Sequence, residues 1–182
     1  MEENHLQQFY PPQKISTIAK RIANCGKDPV GTLCRQWNIP LEIGFDLIKL
    51  ALYDVVFLLD DSGSIRFSEL EPELKGILQA AAFATSLFDE DGFSVRFLNS
   101  GIKGDNIKSE QEAMTLLDNV VFNGETPLAG ALQHKILGPM LENLKKPLHV
   151  IIITDGVVCL TSSGPLQPNL FLTFSSLLPA HG

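Results

Sequence analysis

The chain has 182 residues, with few cysteines and fewer basic than acidic side chains. Its three cysteines are an odd number without a CxxC pair, which argues against a disulfide framework and fits the reduced thiols of the cytosol. The formal net charge of −7 provides no electrostatic footprint for nucleic acid. No apolar run reaches the roughly 18–20 residues of a membrane span, and the polar, acidic N-terminus does not resemble a secretory signal. We therefore expect a cytoplasmic protein with no nucleic-acid partner and no membrane span.

The C-terminal segment, residues 157–182, contains no Lys, Arg, Asp or Glu. All 14 basic and all 21 acidic residues lie before it. It also has neither a helical nor an alternating hydrophobic period. We expect an irregular, uncharged tail that adds nothing to the sheet. The preceding apolar strand, at residues 148–154, would then be an exposed sheet edge.

Two unbroken apolar runs stand out elsewhere, and each ends in a carboxylate. The first lies within residues 53–64, YDVVFLLDDSGS, and the second is residues 148–154, LHVIIIT. Short apolar runs rich in β-branched residues are typical of strands buried on both faces. Long amphipathic helices are predicted at residues 68–88 and 128–144. Strands that alternate with such helices indicate a mainly parallel sheet.

This pattern predicts a three-layer α/β fold, in which helices flank a mainly parallel sheet. We divide the chain into an N-terminal helical extension (1–50), an α/β domain (51–156) and the tail (157–182). Within the α/β domain the pattern further predicts a strand at 93–98, a loop at 99–106, a helix at 109–117 and a short edge strand at 120–122.

Oxygen-bearing side chains follow the two buried strands and precede one helix. Asp60, Ser62 and Ser64 alternate after the first strand, Asp155 follows the second, and Thr126 lies in the GETP loop before a helix. The carboxyl ends of parallel strands open onto one crevice, where functional groups gather. Carboxylates and hydroxyls are hard ligands, so the set predicts a divalent cation, with Mg²⁺ favoured over Mn²⁺ or Ca²⁺.

The DxSxS pattern, the loop threonine and the strand-end aspartate resemble the metal-ion-dependent adhesion site of von Willebrand factor A domains. The resemblance implies that Ser62 and Ser64 bind the ion directly and that Thr126 joins directly or through water. It also implies that Asp60 and Asp155 act through waters and hydrogen bonds. A carboxylate from a protein partner would complete the shell. Domains of this family continue with another helix and two strands, so the resemblance implies an incomplete domain here.

A retropepsin-like aspartic protease is the alternative, because LLDDSGS contains the Asp-Ser-Gly-Ser signature of that class. Such an enzyme would use Asp61 in a pair of carboxylates that share one proton. The long predicted helices argue against it, since that class is almost entirely β. We therefore expect a protein without enzymatic activity: a metal-dependent module that binds an acidic group on a protein partner.

Overall fold

A computed structural model describes residues 9–24, 28–48, 52–67, 70–88, 91–141, 144–156 and 170–176. A π-helical segment, Leu132–Leu137, joins two of its helices. The helices are α1 (Pro12–Asn24), α2 (Pro29–Trp37), α3 (Leu41–Ile48), α4 (Gly63–Phe67), α5 (Glu71–Phe88), α6 (Glu110–Asp118), α7 (Leu128–Ala131) and α8 (Gly138–Met140). The strands are β1 (Asp54–Leu59), β2 (Phe93–Phe97), β3 (Gly104–Ile107), β4 (Leu148–Thr154) and β5 (Leu170–Ser176).

The five strands form one sheet in the order β3-β2-β1-β4-β5. The central strand β1 pairs in parallel with both β2 and β4, so that Phe57 lies between Val95 and Ile151. β4 pairs in parallel with β5, and only the edge strand β3 is antiparallel to its neighbour. The prediction of a mainly parallel sheet is therefore confirmed, with the first apolar run as its central strand and the second run beside it.

Alternate residues of β1 enter two separate hydrophobic clusters. Phe57 and Leu59 belong to a cluster that includes buried residues of α5 and α6. Val56 and Leu58 belong to a second cluster, which includes Ala131 and the buried residues of the π-helical segment. Because successive side chains of a strand point to opposite faces, both faces of the sheet carry helices. The fold is a three-layer α/β arrangement, as predicted.

Three helices precede the sheet, in the region predicted as a helical extension. Asp28 caps α2, accepting a 2.8 Å hydrogen bond from the main-chain N–H of Gly31, and Pro29 occupies the first helical position. Val30 of α2 packs in one buried cluster with Ala84 and Phe88 of α5. This contact holds α2 against the helical layer of the sheet domain. Among the described helices, none combines the length and the hydrophobicity that crossing a membrane requires.

The expectation of an irregular C-terminal tail is wrong for β5, while residues 157–169 and 177–182 lie outside the described residues. β5 pairs with β4 over seven residues, from Leu148↔Leu170 to Thr154↔Ser176. Its sequence LFLTFSS is rich in residues that favour strands. Without β5, the main-chain N–H and C=O groups along one edge of β4 would be unpaired, and this segment can form hydrogen bonds with them. The hydrophobic pattern of residues 157–182 does not reveal this pairing, because it depends on a distant strand.

Two further expectations are corrected within the domain. The edge strand lies at β3, which overlaps the end of the stretch predicted as a loop, and residues 120–122 form no strand. β3 lacks an alternating pattern; its position depends on tertiary contacts, including a 2.6 Å ion pair between Arg96 and Asp105. The helix predicted over 128–144 is interrupted by the π-helical segment, because Pro139 has no N–H to donate and would clash with the preceding turn.

Candidate metal centre

The ends of β1 and β4 bring together four of the five predicted ligand residues. The Ser62 and Ser64 hydroxyl oxygens lie 2.8 Å apart. The Ser64 hydroxyl also donates to Asp155 Oδ1 at 3.1 Å, across 91 positions of sequence. Ser64 is exposed and Asp155 is half-buried, so solvent reaches this end of the row, whereas Ser62 is buried at its other end. The parallel pairing of β1 with β4 makes the contact possible, because the two strands end at the same edge of the sheet.

Asp60 lies beneath this row and is fully buried. Its Oδ1 accepts a 2.9 Å hydrogen bond from the main-chain N–H of Ser62. Its Oδ2 accepts a 2.5 Å hydrogen bond from the hydroxyl of Thr154, the last residue of β4. With both oxygens engaged inside the protein, Asp60 fixes the turn that carries the serines. Thr154 was not among the predicted site residues, although its place before Asp155 at the end of an apolar strand was a usable signal.

The adjacent carboxylate, Asp61, is also fully buried but faces the end of β2. Its Oδ1 accepts hydrogen bonds from the main-chain N–H of Asn99 at 2.7 Å and from the Asn99 side chain at 3.2 Å. Its Oδ2 accepts from the main-chain N–H of Ser100 at 2.7 Å. Asp61 therefore fastens the loop after β2 to the end of β1. The sequence shows two adjacent aspartates, Asp60 and Asp61, but it does not indicate that Asp61 binds the loop after β2.

A lysine on the π-helical segment supports the same loop. Lys135 Nζ donates to the carbonyl oxygens of Phe97, Leu98 and Ser100 at 2.7, 3.0 and 2.9 Å. Burial lowers the pKa of Lys135, and the negative charge of Asp61 opposes that shift. Sequence reasoning missed this residue, because a lysine on an amphipathic helix normally indicates a solvated face.

Thr126, the fifth predicted residue, lies on a loop that two main-chain hydrogen bonds hold against the DxSxS turn. The N–H of Gly63 donates to the Gly124 carbonyl at 3.2 Å, and the N–H of Asn123 donates to the Asp61 carbonyl at 2.8 Å. Gly124 has a φ of +101°, and a side chain there would meet Asn99. Thr126 itself is exposed, and its hydroxyl makes no hydrogen bond with any other described residue. The structure thus brings its loop to the site without engaging its hydroxyl.

The donor set determines which metals these residues can accept. Within the described ranges, no group of three or more His, Cys, Asp or Glu side chains is placed to hold a metal. A metal here would depend on the serine hydroxyls together with a few carboxylate oxygens. Two oxygens in adjacent octahedral positions on Mg²⁺ would lie roughly 2.9 Å apart, given metal–oxygen distances of about 2.0–2.1 Å. The 2.8 Å separation of Ser62 and Ser64 fits this geometry, and the absence of nitrogen and sulfur ligands from the set disfavours softer metals.

No protein-family model matches the chain. No curated protein and no solved structure matches it either.

Proposed function

We propose that this protein is a divalent-metal-dependent binding module of the von Willebrand factor A type, which recruits an acidic group of a protein partner. The row of oxygens formed by Ser62, Ser64 and Asp155 is the observation that carries the proposal. The Ser64 hydroxyl lies 2.8 Å from that of Ser62 and 3.1 Å from the Asp155 carboxylate of the neighbouring strand end, at the carboxyl edge of parallel strands. This is the place where α/β sheets bind ligands.

Each residue has a distinct role in the proposal. Ser62 and Ser64 would hold the ion, with Mg²⁺ preferred and Mn²⁺ or Ca²⁺ as alternatives. Thr126 is exposed on the adjoining loop and would complete the protein's share of the shell. Asp60 and Asp155 would orient ligands through hydrogen bonds. When bound, the ion supplies positive charge, which neutral hydroxyl ligands leave available for an incoming carboxylate.

An aspartic protease is the less supported alternative. Catalysis in that class requires two neighbouring carboxyl groups that share a proton and face the substrate. Asp61 is fully buried, and three N–H groups of Asn99 and Ser100 occupy its oxygens. Those contacts account for Asp61 as a structural residue of an α/β fold. The proposal therefore assigns no enzymatic activity to the chain.

Thermal melting with metal or with chelator tests the proposal. A ligand that binds only the folded state stabilises it by about 2.7 kcal/mol at a hundredfold excess over its dissociation constant. We expect millimolar Mg²⁺ or Mn²⁺ to raise the melting temperature of the wild-type protein relative to EDTA. Ser62→Ala with Ser64→Ala should remove the shift, as should Asp155→Ala.

Glu42→Gln is the matched control, because Glu42 is an exposed carboxylate on α3, which precedes the start of β1 rather than its carboxyl end. It should retain the full metal-dependent shift. An unchanged melting temperature of wild type with both ions would contradict the proposal. So would an equal shift in wild type and in the double serine variant, since the ion would then bind elsewhere.

A further inference from the structure

Two large apolar side chains are exposed beside the candidate metal centre. Phe67, at the end of α4, is 87% exposed, and Val121 is 73% exposed. The Phe67 ring lies next to Gly63, with its Cε2 3.7 Å from the point that a Cβ on Gly63 would occupy. Val121 lies two residues before Asn123, which is hydrogen-bonded to Asp61. We call Phe67 and Val121 the apolar pair; Val121 lines a cavity with Arg66, which directly precedes Phe67 in the chain.

An arginine lies next to the apolar pair. Arg66 is exposed and lines the same open cavity of about 360 Å³ as Val121. Its guanidinium forms no ion pair or hydrogen bond with any of the described residues. An arginine presents a planar fork of donors that suits a carboxylate. Arg66 is therefore available to a second acidic group that approaches the metal centre.

Two acidic side chains that line this cavity share a single lysine, and together with Arg66 the two cations balance the two carboxylates. Glu71 and Asp118 line the same cavity, and Lys75 Nζ lies 3.1 Å from a carboxylate oxygen of each. Both hydrogen bonds raise the pKa of Lys75, so it stays charged between them. Glu125 is exposed on the Thr126 loop, where its carbonyl accepts from the Asn99 side chain. Repulsion from Glu125 would direct a second acidic group of a partner towards Arg66.

We infer that the module recognises a short acidic-hydrophobic peptide segment. In this inference, which rests on the proposed function, one carboxylate is taken by the metal centre and a second by Arg66. An adjacent aromatic or aliphatic side chain packs on the apolar pair. Charge complementarity and the continuity of these exposed side chains with the candidate metal centre identify this partner class. The inference adds sequence preference to a site that would otherwise accept any accessible carboxylate.

An array of short peptides with a fixed central aspartate, randomised at the flanking positions, tests the inference on the full chain. In Mn²⁺ we expect enrichment of peptides with a second acidic residue and a large apolar residue beside the aspartate. Arg66→Gln should weaken peptides with the second acid by about fivefold, the range of an exposed ion pair, and leave those without it unchanged. Phe67→Ser with Val121→Ser should remove the preference for the apolar residue.

Lys20→Gln and Phe45→Ser are the matched controls, because these residues are exposed on α1 and α3. Both should keep the wild-type preferences. Metal-dependent binding with the same preferences in wild type and in the Arg66 and apolar-pair variants would overturn the inference and leave the proposed function intact. If neither a metal-dependent melting shift nor metal-dependent capture occurs, the proposed function fails and the inference fails with it.

Discussion

The hydroxyl of Thr154 donates a hydrogen bond to Asp60 across the ends of two adjacent parallel strands. Both residues are buried, and the Thr154 oxygen also accepts from the N–H of Gly156 at 3.0 Å. One hydroxyl therefore orients the carboxylate beneath the serines and also the turn that carries Asp155. The geometry of the candidate metal centre depends on this contact, although neither group faces the solvent.

Thr154→Val should lower the free energy of unfolding by about 1–3 kcal/mol, because it leaves a buried carboxylate oxygen without its donor. The shape of the side chain is almost unchanged, so the loss reports on the hydrogen bond. Urea denaturation measures it. Thr115→Val on the exposed face of α6 is the control, with an expected change within about 0.5 kcal/mol. Equal effects of the two variants would contradict the role given to Thr154.

Asp61→Asn distinguishes the binding module from the protease alternative. The variant should be destabilised by about 1–3 kcal/mol, because the asparagine NH₂ would face an N–H of Asn99 or Ser100. We expect no peptide hydrolysis from wild type or variant, measured over a range of acidic pH with a mixture of peptide substrates. Hydrolysis by wild type that disappears in Asp61→Asn would support the aspartic protease instead.

Lys135→Met should also destabilise the fold, by about 1–3 kcal/mol, because three carbonyl oxygens at the end of β2 lose a charged donor. Methionine keeps much of the apolar stem, so the loss again reports on hydrogen bonding. Chemical denaturation tests this, with Lys103→Met on the exposed loop after β2 as the control. A Lys135 variant as stable as the control would show that the loop after β2 does not need this cation.

The elements that sequence predicted well are those whose signal is local. The strands β1 and β4 are continuous apolar runs, and burial on both faces produces that pattern directly. The helix predicted at 109–117 is α6, which begins with a capping box of local sequence, in which Ser109 accepts from the N–H of Glu112 at 3.2 Å. The positions of Asp60, Ser62, Ser64 and Asp155 follow from those strands. The site was therefore predictable wherever it continues a buried strand.

The rest depended on contacts between segments distant in sequence. β5 is specified by the unpaired edge of β4, and β3 is held by Arg96, which also donates to the Gly104 carbonyl at 3.0 Å. Neither interaction produces a periodic hydrophobic pattern in the sequence. The different surroundings of Asp60 and Asp61 likewise depend on which neighbouring strand each carboxylate faces. A doublet of identical residues cannot carry that information in sequence alone.

His149 should make the stability of the fold depend on pH. It lies on β4, 2.8 Å from the Thr173 hydroxyl of β5 and edge-on to the Tyr53 ring. Burial lowers the pKa of His149 below its ordinary value of 6.5, so the unfolded chain binds a proton more readily than the folded one. Its stability contribution is thus complete above pH 6.5 and falls as the pH drops towards the folded-state pKa.

Urea denaturation of His149→Gln against wild type between neutral and mildly acidic pH measures this contribution. The variant should lose less stability on acidification, whereas His134→Gln, at an exposed position of the π-helical segment, should behave as wild type. Identical pH profiles for all three proteins would contradict the assignment.

Ending the chain at Gly156 should reduce its solubility, because β4 would lose its pairing with β5 along its whole length. The other edge of β4 already pairs with β1, so removing β5 exposes a row of unpaired main-chain groups beside Val150 and Ile152, both fully buried in the intact fold. An exposed apolar edge strand favours pairing between chains and aggregation. A chain ending at Ser176 keeps β5 and is the control. Soluble yield and light scattering compare the two, with aggregation expected only in the shorter chain. A shorter chain that remains monomeric and melts at the same temperature as the control would mean that β5 does not protect β4.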